Sequence, residues 1–255
     1  MRGTMTNLLP KIPILYECNN YIIINKPFGV YTQPADLHTW FQRYPGRPEG
    51  PRYLLDELAN TFKREEEEKK NFQELKTVHR LDVCVTGGML LAKNKTAAIN
   101  FSRNLKKGGS SGFPLKRRYV ALLNDSLKKT LRPTGTLEMN GMVTKYKLFD
   151  DQCIILELIT GKKHQLRKQL SSILKQPILN DVKYGGSYLL GTDKEQIALH
   201  SAYIETRVGL QKRSHIVPMI FNNNGKLWNR QYIDSQGFFC AGITKILTDT
   251  WNVDV

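Results

Sequence analysis

The sequence predicts an α+β fold, in which strands and helices mix without regular alternation. Short apolar runs typical of strands crowd the middle of the chain, and segments with helical spacing of apolar residues lie before and after them. Neither a repeat of fixed period nor the strand–helix–strand alternation of a doubly wound sheet is present. With 255 residues, 40% of them apolar, the chain can bury a full core as one domain or as two small lobes.

The N-terminal part is predicted to form a hairpin, a loop and a helix. The segment ILYECNNYIIINKP holds two apolar runs around the turn-like pair Asn19–Asn20, which predicts paired strands. Residues 27–51 are rich in proline and glycine and are predicted to be a loop. The segment LLDELANTFKREEEEKKNF then places Leu54, Leu58 and Phe62 on one helical face, with its run of glutamates on a solvated face.

Further strands and helices are predicted along the rest of the chain. Strands are predicted for the runs GMLLAKN, KRRYVALL, GTLEMN, TKYKLFD, CIILELIT and IALHSAYIET. A helix is predicted for KTAAINFSRNLKK, ended by Gly108–Gly109, and the tract GGSSGFP is typical of a surface loop. A second helix is predicted over residues 162–174, with an apolar stripe made of Leu166, Leu170, Ile173 and Leu174. The segment FFCAGITKILTDTW fits either a closing strand or a helix.

The strongest signal in the composition is positive charge. Lys and Arg number 38 against 23 Asp and Glu, which gives a net charge of +15 and a pI near 9.6. Nucleic acid is the commonest partner that explains such an excess, because each phosphate neutralised by a cation releases condensed counterions. The alternative is a chain that is basic only for solubility or for its compartment.

Several classes of site are disfavoured by what the sequence lacks. No two cysteines have the close spacing of a zinc or thioredoxin-like site, so no metal is predicted, and the cysteines are predicted to be core residues in a reducing compartment. The chain also lacks a glycine-rich phosphate loop, so no cofactor is predicted. No apolar run reaches the roughly 18 residues of a membrane span. The cysteines are Cys18, Cys84, Cys153 and Cys240.

The first 16 residues leave two interpretations open. They carry Arg2 and Lys11 without an acid, which is compatible with a mitochondrial presequence. Pro10 and Pro13 interrupt any long amphipathic helix, so an ordinary leading strand fits equally well.

The segment HRLDVCVTGGMLLAKNKTAA begins with His79 and Arg80 and places Asp82 beside a cation in an apolar strand–turn–strand setting. A carboxylate in such a setting can attack as a nucleophile or abstract a proton. Two later segments, KRRYVALL with Tyr119 and TGKKHQLRKQL with Arg167, offer a phenol and a second guanidinium that can converge on it. Without those segments, Asp82 would be interpreted as one half of a surface salt bridge worth at most about 1 kcal/mol.

Cations crowd the start of the helix predicted over residues 162–174. Lys162, Lys163 and His164 stand there, at the end of a helix where the dipole disfavours positive charge and favours a bound anion. We therefore predict that these three residues bind substrate, and an alternative for Arg167 is a phosphate contact alone. The histidines His79, His164 and His200 are predicted to be hydrogen-bonding residues and not metal ligands, because no pair has ligand spacing with a third donor nearby.

In order along the chain, these segments resemble the motifs of the RluA-type pseudouridine synthases, which isomerise uridine in RNA by detaching the base, turning it and reattaching it through carbon 5. YECNNYIIINKPFGVYTQP is similar to the opening segment of that family, and HRLDVCVTGGMLL to its signature of His-Arg-Leu-Asp followed by Thr-Ser-Gly. KRRYVALL, TGKKHQLRKQLSSILKQPILNDVKYG and ALHSAYI are similar to its later motifs. The resemblance implies a mixed, mainly antiparallel central sheet flanked by helices and loops, with the catalytic cleft across the sheet.

The resemblance also implies roles for individual residues. Asp82 would be the catalytic carboxylate, Tyr119 would stack on the target base and assist proton transfer, and Arg167 would pair with Asp82. Leu166 would line the uracil pocket. Arg80 would fill the gap left by the extruded nucleotide, since the glycosidic bond cannot be reached inside a stacked strand. Arg80 as a second partner of Asp82 is the alternative.

Three positions depart from the family pattern. Gly87 stands where Ser is usual, Lys163 where Arg or Thr is common, and Asn180 where Gly usually precedes an Asp. We expect these changes to loosen turn geometry and positioning without removing a reacting group.

The chain begins almost at the first family motif, which predicts a single catalytic domain of two packed lobes over residues 1–255 without a separate N-terminal RNA-binding module. RNA binding would then depend on the basic surface of the domain itself. A ribosomal RNA loop is the expected substrate, with transfer RNA as the alternative, and a monomer is the default. The expected basic surface comprises Lys106–Lys107, Lys116–Arg118, Lys128–Lys129 and Lys162–Lys163.

Two other functions compete with this prediction. One is a non-catalytic RNA-binding or ribosome assembly factor on the same fold, and the other is a hydrolase that breaks the glycosidic bond without rejoining it. Asp82 argues against the first, because a surface that only has to accept phosphates has no reason to keep a carboxylate.

Overall fold

A mixed ten-stranded sheet lies at the centre of the computed structural model, which describes residues 11–47, 49–65, 75–106, 111–127, 131–220 and 226–251. The strands are β1 Ile14–Glu17, β2 Tyr21–Lys26, β3 Val30–Tyr31, β4 Arg52–Tyr53, β5 Lys76–Thr77, β6 Thr86–Ala92, β7 Leu115–Leu122, β8 Thr134–Met139, β9 Met142–Leu148, β10 Cys153–Leu158, β11 Leu199–Val208 and β12 Gln211–Ile216. The helices are α1 Leu37–Arg43, α2 Leu54–Glu65, α3 Lys95–Lys106, α4 Gln165–Ser172 and α5 Ala241–Thr248.

The main sheet has the strand order β1-β2-β6-β11-β7-β10-β9-β8, with β12 paired to β11 and β5 paired to β6. Strands β6 and β11 run parallel, through the pairs His200↔Thr86 and Ser201↔Gly87. The other described pairs of this sheet are antiparallel. The predicted α+β class with a mixed, mainly antiparallel sheet is confirmed.

The N-terminal hairpin is confirmed, but the loop predicted over residues 27–51 is wrong in part, because α1 lies within it. Asp36 caps this helix by accepting hydrogen bonds from the His38 amide at 3.1 Å and the Thr39 hydroxyl at 2.5 Å. The prolines and glycines of the segment flank a helix of only seven residues, which their composition conceals. Trp40 is buried and anchors the helix to the domain.

The other helices agree with prediction in position but differ at their ends. Helix α2 buries Leu54 and Leu58 as expected, and the tail of its glutamate run lies outside the described residues. The expected stop of α3 at Gly108–Gly109 also lies outside them. Helix α4 begins at Gln165, and Ile173 beyond its end is 37% exposed, so the predicted stripe is wrong there. The C-terminal segment forms the helix α5.

Strands β2 and β6 are buried on both faces, because each face of the sheet has its own apolar cluster. Ile22 and Ile24 of β2 belong to the larger cluster. Tyr21 and Ile23 alternate with them and pack into a smaller cluster together with Phe101 of α3. Because an apolar cluster covers each face, these strands are held firmly in position. The turn that leads into β6 is therefore also held in place. Of the helices in the described ranges, none is long and apolar enough to cross a membrane.

His200 and His79 have the structural hydrogen bonds predicted for them. The Thr86 hydroxyl lies 2.8 Å from His200 Nδ1, and the carbonyl oxygen of Val217 lies 3.0 Å from His200 Nε2. Because Nε2 faces a carbonyl, it carries the proton of the neutral ring. The Leu90 amide donates to His79 Nε2 at 3.1 Å. Both rings therefore tie β6 to its surroundings.

We expect the stability of the protein to fall in mild acid because of His200. Burial lowers the pKa of His200 to about 4, below the roughly 6.5 of an unfolded chain. The stabilisation that neutral, buried His200 gives to the folded state is therefore complete above pH 6.5. It is lost as the pH falls towards 4, by up to about 1.4 kcal/mol of unfolding free energy per pH unit. Urea unfolding of the wild type and of His200→Gln between pH 7.5 and 5 measures it. Equal pH slopes for the two proteins would contradict this assignment.

Candidate active site

Asp82 lies in the turn between β5 and β6, shortly before β6 begins. The Val85 amide donates to the Asp82 carbonyl at 3.0 Å, and the Gly29 amide donates to the Val83 carbonyl at 2.8 Å. The Thr32 hydroxyl bonds the carbonyl of Leu81, whose side chain belongs to the core. The turn is thereby tied to the segment after β2, and the Asp82 side chain is only 15% exposed.

Arg167, in the first turn of α4, reaches Asp82 as predicted. Its Nη1 donates to Asp82 Oδ2 at 3.2 Å. Its Nε and Nη2 donate to the two carboxylate oxygens of Asp181 at 2.7 and 2.8 Å. Burial would lower the pKa of Arg167, but the hydrogen bonds and charge of Asp181, together with the charge of Asp82, raise it above its usual value. The Arg167 guanidinium therefore stays charged, and each of its three nitrogen atoms donates a hydrogen bond to a carboxylate.

Asp181 is a site residue that sequence reasoning missed. It is 1% exposed and follows Asn180, which has a positive φ of 69° and is equally buried. The Asn180 amide group donates to the carbonyls of Asp193 and Gln196 at 2.9 and 2.6 Å, which fixes the loop. Asn tolerates the left-handed conformation better than most side chains, which explains how it stands where glycine is usual. The pair Asn-Asp after Pro177 is the signal that could have revealed this partner of Arg167.

His164 and Tyr184 complete the surroundings of Asp82. His164 precedes α4 with a positive φ of 56°, and its Nε2 lies 3.7 Å from Asp82 Oδ2. Its Nδ1 lies 2.7 Å from the hydroxyl of Tyr184, and the Arg167 guanidinium carbon lies 4.9 Å from the centre of the Tyr184 ring. Burial lowers the pKa of His164, although the charge of Asp82 opposes this. Sequence reasoning also missed Tyr184, which touches both groups next to Asp82.

An open cleft of about 630 Å³ lies beside Asp82. Of the residues predicted from the sequence, it is lined by Arg80, Asp82, Lys163, His164 and Arg167. The lining also takes in the segment around α1, the loop at Asn180 and the segment around Glu195. Among the described residues, no group of three or more His, Cys, Asp or Glu side chains is arranged to hold a metal ion.

The remaining predicted site residues lie outside the lining of this cleft. Tyr119, on β7, is 3% exposed, and burial raises its pKa, with the negative charge of Asp82 acting in the same direction. Leu166 is 5% exposed and packs in the main core. Lys162 is exposed, and its Nζ donates to the Asn140 carbonyl at 2.8 Å.

The Nη1 of Arg80 donates to Gln33 Oε1, so the alternative pairing of Arg80 with Asp82 is not observed.

The predicted basic surface needs correction at Arg117 and Arg118. They are 6% and 1% exposed, and Arg118 Nε donates to Glu157 at 2.6 Å. Both lie on β7, and the Arg118 guanidinium carbon also lies 4.6 Å from the centre of the Trp251 ring. Lys116 pairs with Glu205 at 3.6 Å. Residues 107 and 128–129 of the predicted surface lie outside the described ranges.

Gly87 does more than loosen a turn, contrary to expectation. It has a positive φ of 110°, and a Cβ atom there would lie 2.5 Å from the carbonyl oxygen of Ser201. The parallel pairing of β6 with β11 brings the two backbones this close. The backbone at this position therefore requires glycine, and serine would not fit.

This fold is that of the pseudouridine synthases. A solved structure named human RNA pseudouridylate synthase domain containing 4 superposes with a TM-score of 0.59 at 21% identity, over 84% of this chain and 92% of that one. The family model described as RNA pseudouridylate synthase matches residues 20–172.

Curated relatives extend the match to nearly the whole chain. The 21S rRNA pseudouridine(2819) synthase of Saccharomyces cerevisiae is 41% identical over 258 residues, covering 96% of this chain and 99% of its own. The enzyme of the same name from Eremothecium gossypii is 43% identical, covering 93% of this chain and 88% of its own. The chain belongs to the RluA-type RNA pseudouridine synthase family, and it is an RNA pseudouridine synthase, an enzyme that isomerises uridine to pseudouridine.

Proposed function

We propose that Asp82 is the catalytic carboxylate and that the isomerisation takes place in the cleft that it lines. The observation that carries this proposal is that the two carboxylate oxygens of Asp82 differ in their hydrogen bonding. Arg167 binds Oδ2 at 3.2 Å, and Oδ1 has no hydrogen-bond partner among the described residues. A carboxylate paired with a guanidinium through one oxygen keeps the other free to attack the sugar or to take a proton from it.

The proposal gives the neighbouring residues the roles that the family resemblance implies. Arg167 orients Asp82 through the hydrogen bond to Oδ2, and Asp181 in turn orients Arg167 through two hydrogen bonds. The resemblance assigns Tyr119 to contact with the base and Leu166 to the lining of the uracil pocket, although both are buried behind the present lining of the cleft. Arg80, exposed at the cleft, takes the place of the extruded nucleotide. His164 and Lys163, which also line the cleft, bind the RNA backbone.

We further propose that the substrate is a uridine of large-subunit ribosomal RNA, with transfer RNA as the alternative. The names of the two yeast relatives, which refer to 21S rRNA, support this substrate. A mitochondrial location fits the same relatives and the acid-free N-terminus. The continuous sheet supports a single catalytic domain, and we propose that it acts as a monomer.

Mapping of pseudouridines in total RNA, with and without this protein, tests the function. We expect one or a few sites in ribosomal RNA to be lost when the protein is absent and to return with the wild-type protein. Release of free uracil without pseudouridine would indicate the hydrolase. Binding of RNA without any product would indicate the non-catalytic assembly factor.

A pair of lysine variants tests which cations bind RNA. Lys163 lines the cleft, whereas the ammonium of Lys162 is bound to the Asn140 carbonyl. Lys163→Ala should therefore weaken RNA binding and reduce the slope of log affinity against log salt by about 0.7, the value for one phosphate of single-stranded RNA. Lys162→Ala removes the same charge and should have a smaller effect. An unchanged slope in the double variant would exclude both lysines from phosphate binding.

A further inference from the structure

Helix α1 forms part of the wall of the cleft that holds Asp82. Thr39, Trp40, Arg43 and Tyr44 of this segment all line the cleft. The Trp40 side chain is 6% exposed, and its ring lies 5.1 Å from the Tyr44 ring. The Asp36 cap and the buried tryptophan together hold the helix at a fixed position beside the cleft.

Two arginines gather around the tyrosine at the end of this helix. The guanidinium carbon of Arg47 lies 4.9 Å from the centre of the Tyr44 ring, and that of Arg43 lies 5.6 Å from it. An aromatic ring beside a guanidinium limits its orientations without neutralising its charge. Tyr44, which lines the cleft, therefore holds two cations with their donor groups available: Arg43 in the lining itself and Arg47 just outside it.

The acids near this cluster leave most of its charge uncompensated. The Glu195 carboxylate lies 4.0 Å from Arg43 Nε, but the Arg43 side chain is 66% exposed, so solvent screens this pair strongly. Asp36 is occupied by its bonds to the His38 amide and the Thr39 hydroxyl. Within the described ranges, Arg47 makes no ion pair. An anion is the ligand that suits such a cluster.

The position of this cluster suggests which anion it binds. A uridine swung into the cleft leaves a phosphate on each side of it, and the strand continues past the opening. Lys163 and Lys183, from other segments of the chain, also line the cleft and can bind other phosphates of the strand. We propose that Arg43, Tyr44 and Arg47 form a second binding point for the RNA strand, in which the two guanidinium groups bind phosphates next to the target nucleotide. This inference rests on the proposed function and adds the residues that position the strand.

Salt-dependent binding tests this role directly. The probe is a fluorescein-labelled single-stranded oligouridylate, titrated with the full chain at several salt concentrations. Arg43→Ala with Arg47→Ala should weaken binding and reduce the log–log salt slope by about 1.4, or about 0.7 for each phosphate that is no longer bound. Replacement of both arginines by Lys keeps the charge and should retain most of the slope. A full slope in the double Ala variant overturns the proposal.

A matched control is available on the β11–β12 hairpin. Arg207 and Arg213 are both exposed and lie outside the lining of the cleft, and Arg213 lies 5.2 Å from the ring of Tyr16, so it too is an arginine beside a tyrosine. Changing both to Ala removes the same net charge as the α1 double variant. We expect this control to keep the salt slope of the wild type. An equal loss of slope in the two double variants would indicate a general charge effect and overturn the proposal.

Turnover separates this inference from the proposed function. On an RNA that the wild type modifies, the Arg43→Ala and Arg47→Ala double variant should raise KM about tenfold with kcat unchanged, because phosphate binding adds affinity and not chemistry. Tyr44→Leu should raise KM in the same direction, and Tyr44→Phe should not. A lower kcat at unchanged KM would contradict a role in holding the strand. A wild type that modifies no RNA would reject the proposed function, and the binding experiment would still decide on this cluster.

Discussion

Asp82→Ala is expected to abolish pseudouridine formation while RNA affinity stays within a few fold. The variant removes the carboxylate whose Oδ1 makes no hydrogen bond with the described residues, and it leaves the cations of the cleft in place. Loss of a group that reacts with the substrate lowers kcat by a factor on the order of 10⁴ to 10⁶. Single-turnover assays at saturating enzyme, with pseudouridine detected chemically, measure this loss. The stability of the variant should change little, because Arg167 keeps both hydrogen bonds to Asp181.

The matched control for this variant is Asp36→Asn. Asp36 also lines the cleft, so its replacement removes one negative charge from the same surface. Asn keeps the ability to cap α1, so the fold should be retained. We expect the turnover of Asp36→Asn to remain within a few fold of the wild type. Full turnover by Asp82→Ala, or equal losses in the two variants, would reject Asp82 as the catalytic group.

Asp181→Ala is expected to damage both stability and activity. Asp181 and Arg167 are 1% and 6% exposed, and two hydrogen bonds of 2.7 and 2.8 Å join them. Removal of Asp181 leaves the buried guanidinium with only its 3.2 Å contact to Asp82, and breaking a buried ion pair costs about 3–5 kcal/mol of unfolding free energy. The freed Arg167 also loses its alignment on Asp82, and a displacement of about 1 Å at a reacting group can lower kcat about 100-fold. Urea unfolding and single-turnover kinetics at a temperature where the variant is folded measure the two effects.

A second buried ion pair separates these effects. Glu157 accepts a hydrogen bond of 2.6 Å from Arg118, which also donates to the carbonyls of Leu247 and Asp249 at the end of α5. Glu157→Ala should therefore lose stability in the manner of Asp181→Ala, while the folded molecules keep the kcat of the wild type. If Asp181→Ala unfolds at the same urea concentration as the wild type, or turns over at the same rate, its proposed role in holding Arg167 is wrong.

The candidate active site shows which of its residues local sequence patterns can predict. The strand after Asp82, the helix that carries Arg167 and the strand that carries Tyr119 follow from apolar runs and periodicity, so their positions were predictable. The contact of Asp82 with Arg167 was expected from the family resemblance, and the 3.2 Å hydrogen bond confirms it. Asp181 was missed although the Asn-Asp pair after Pro177 marks it, and Tyr184 was missed because no local pattern marks it. They lie 14 and 17 positions after Arg167 in the chain, and only the turn at Asn180 and the short helix Val182–Tyr184 bring them back to it.

Helix α1 and the buried arginines show where local sequence patterns gave a wrong prediction. Composition predicted a loop over residues 27–51, because a single helix of seven residues leaves too short a periodic pattern to stand out among prolines and glycines. The pattern KRR predicted exposed cations, but Arg118 is buried because Glu157 on the neighbouring strand and the end of α5 supply its partners. Neither partner is close to Arg118 in sequence.

The sequence by itself determined the α+β class, the order of most strands and helices along the chain, the excess of positive charge and the Asp82 motif. These features depend on residues close together in the chain, where apolar spacing and capping act directly. The tertiary structure decided which charges are buried, which residues hold Arg167, and that α1 stands beside the cleft. Those outcomes depend on contacts between distant segments, whose burial and distance no local pattern encodes.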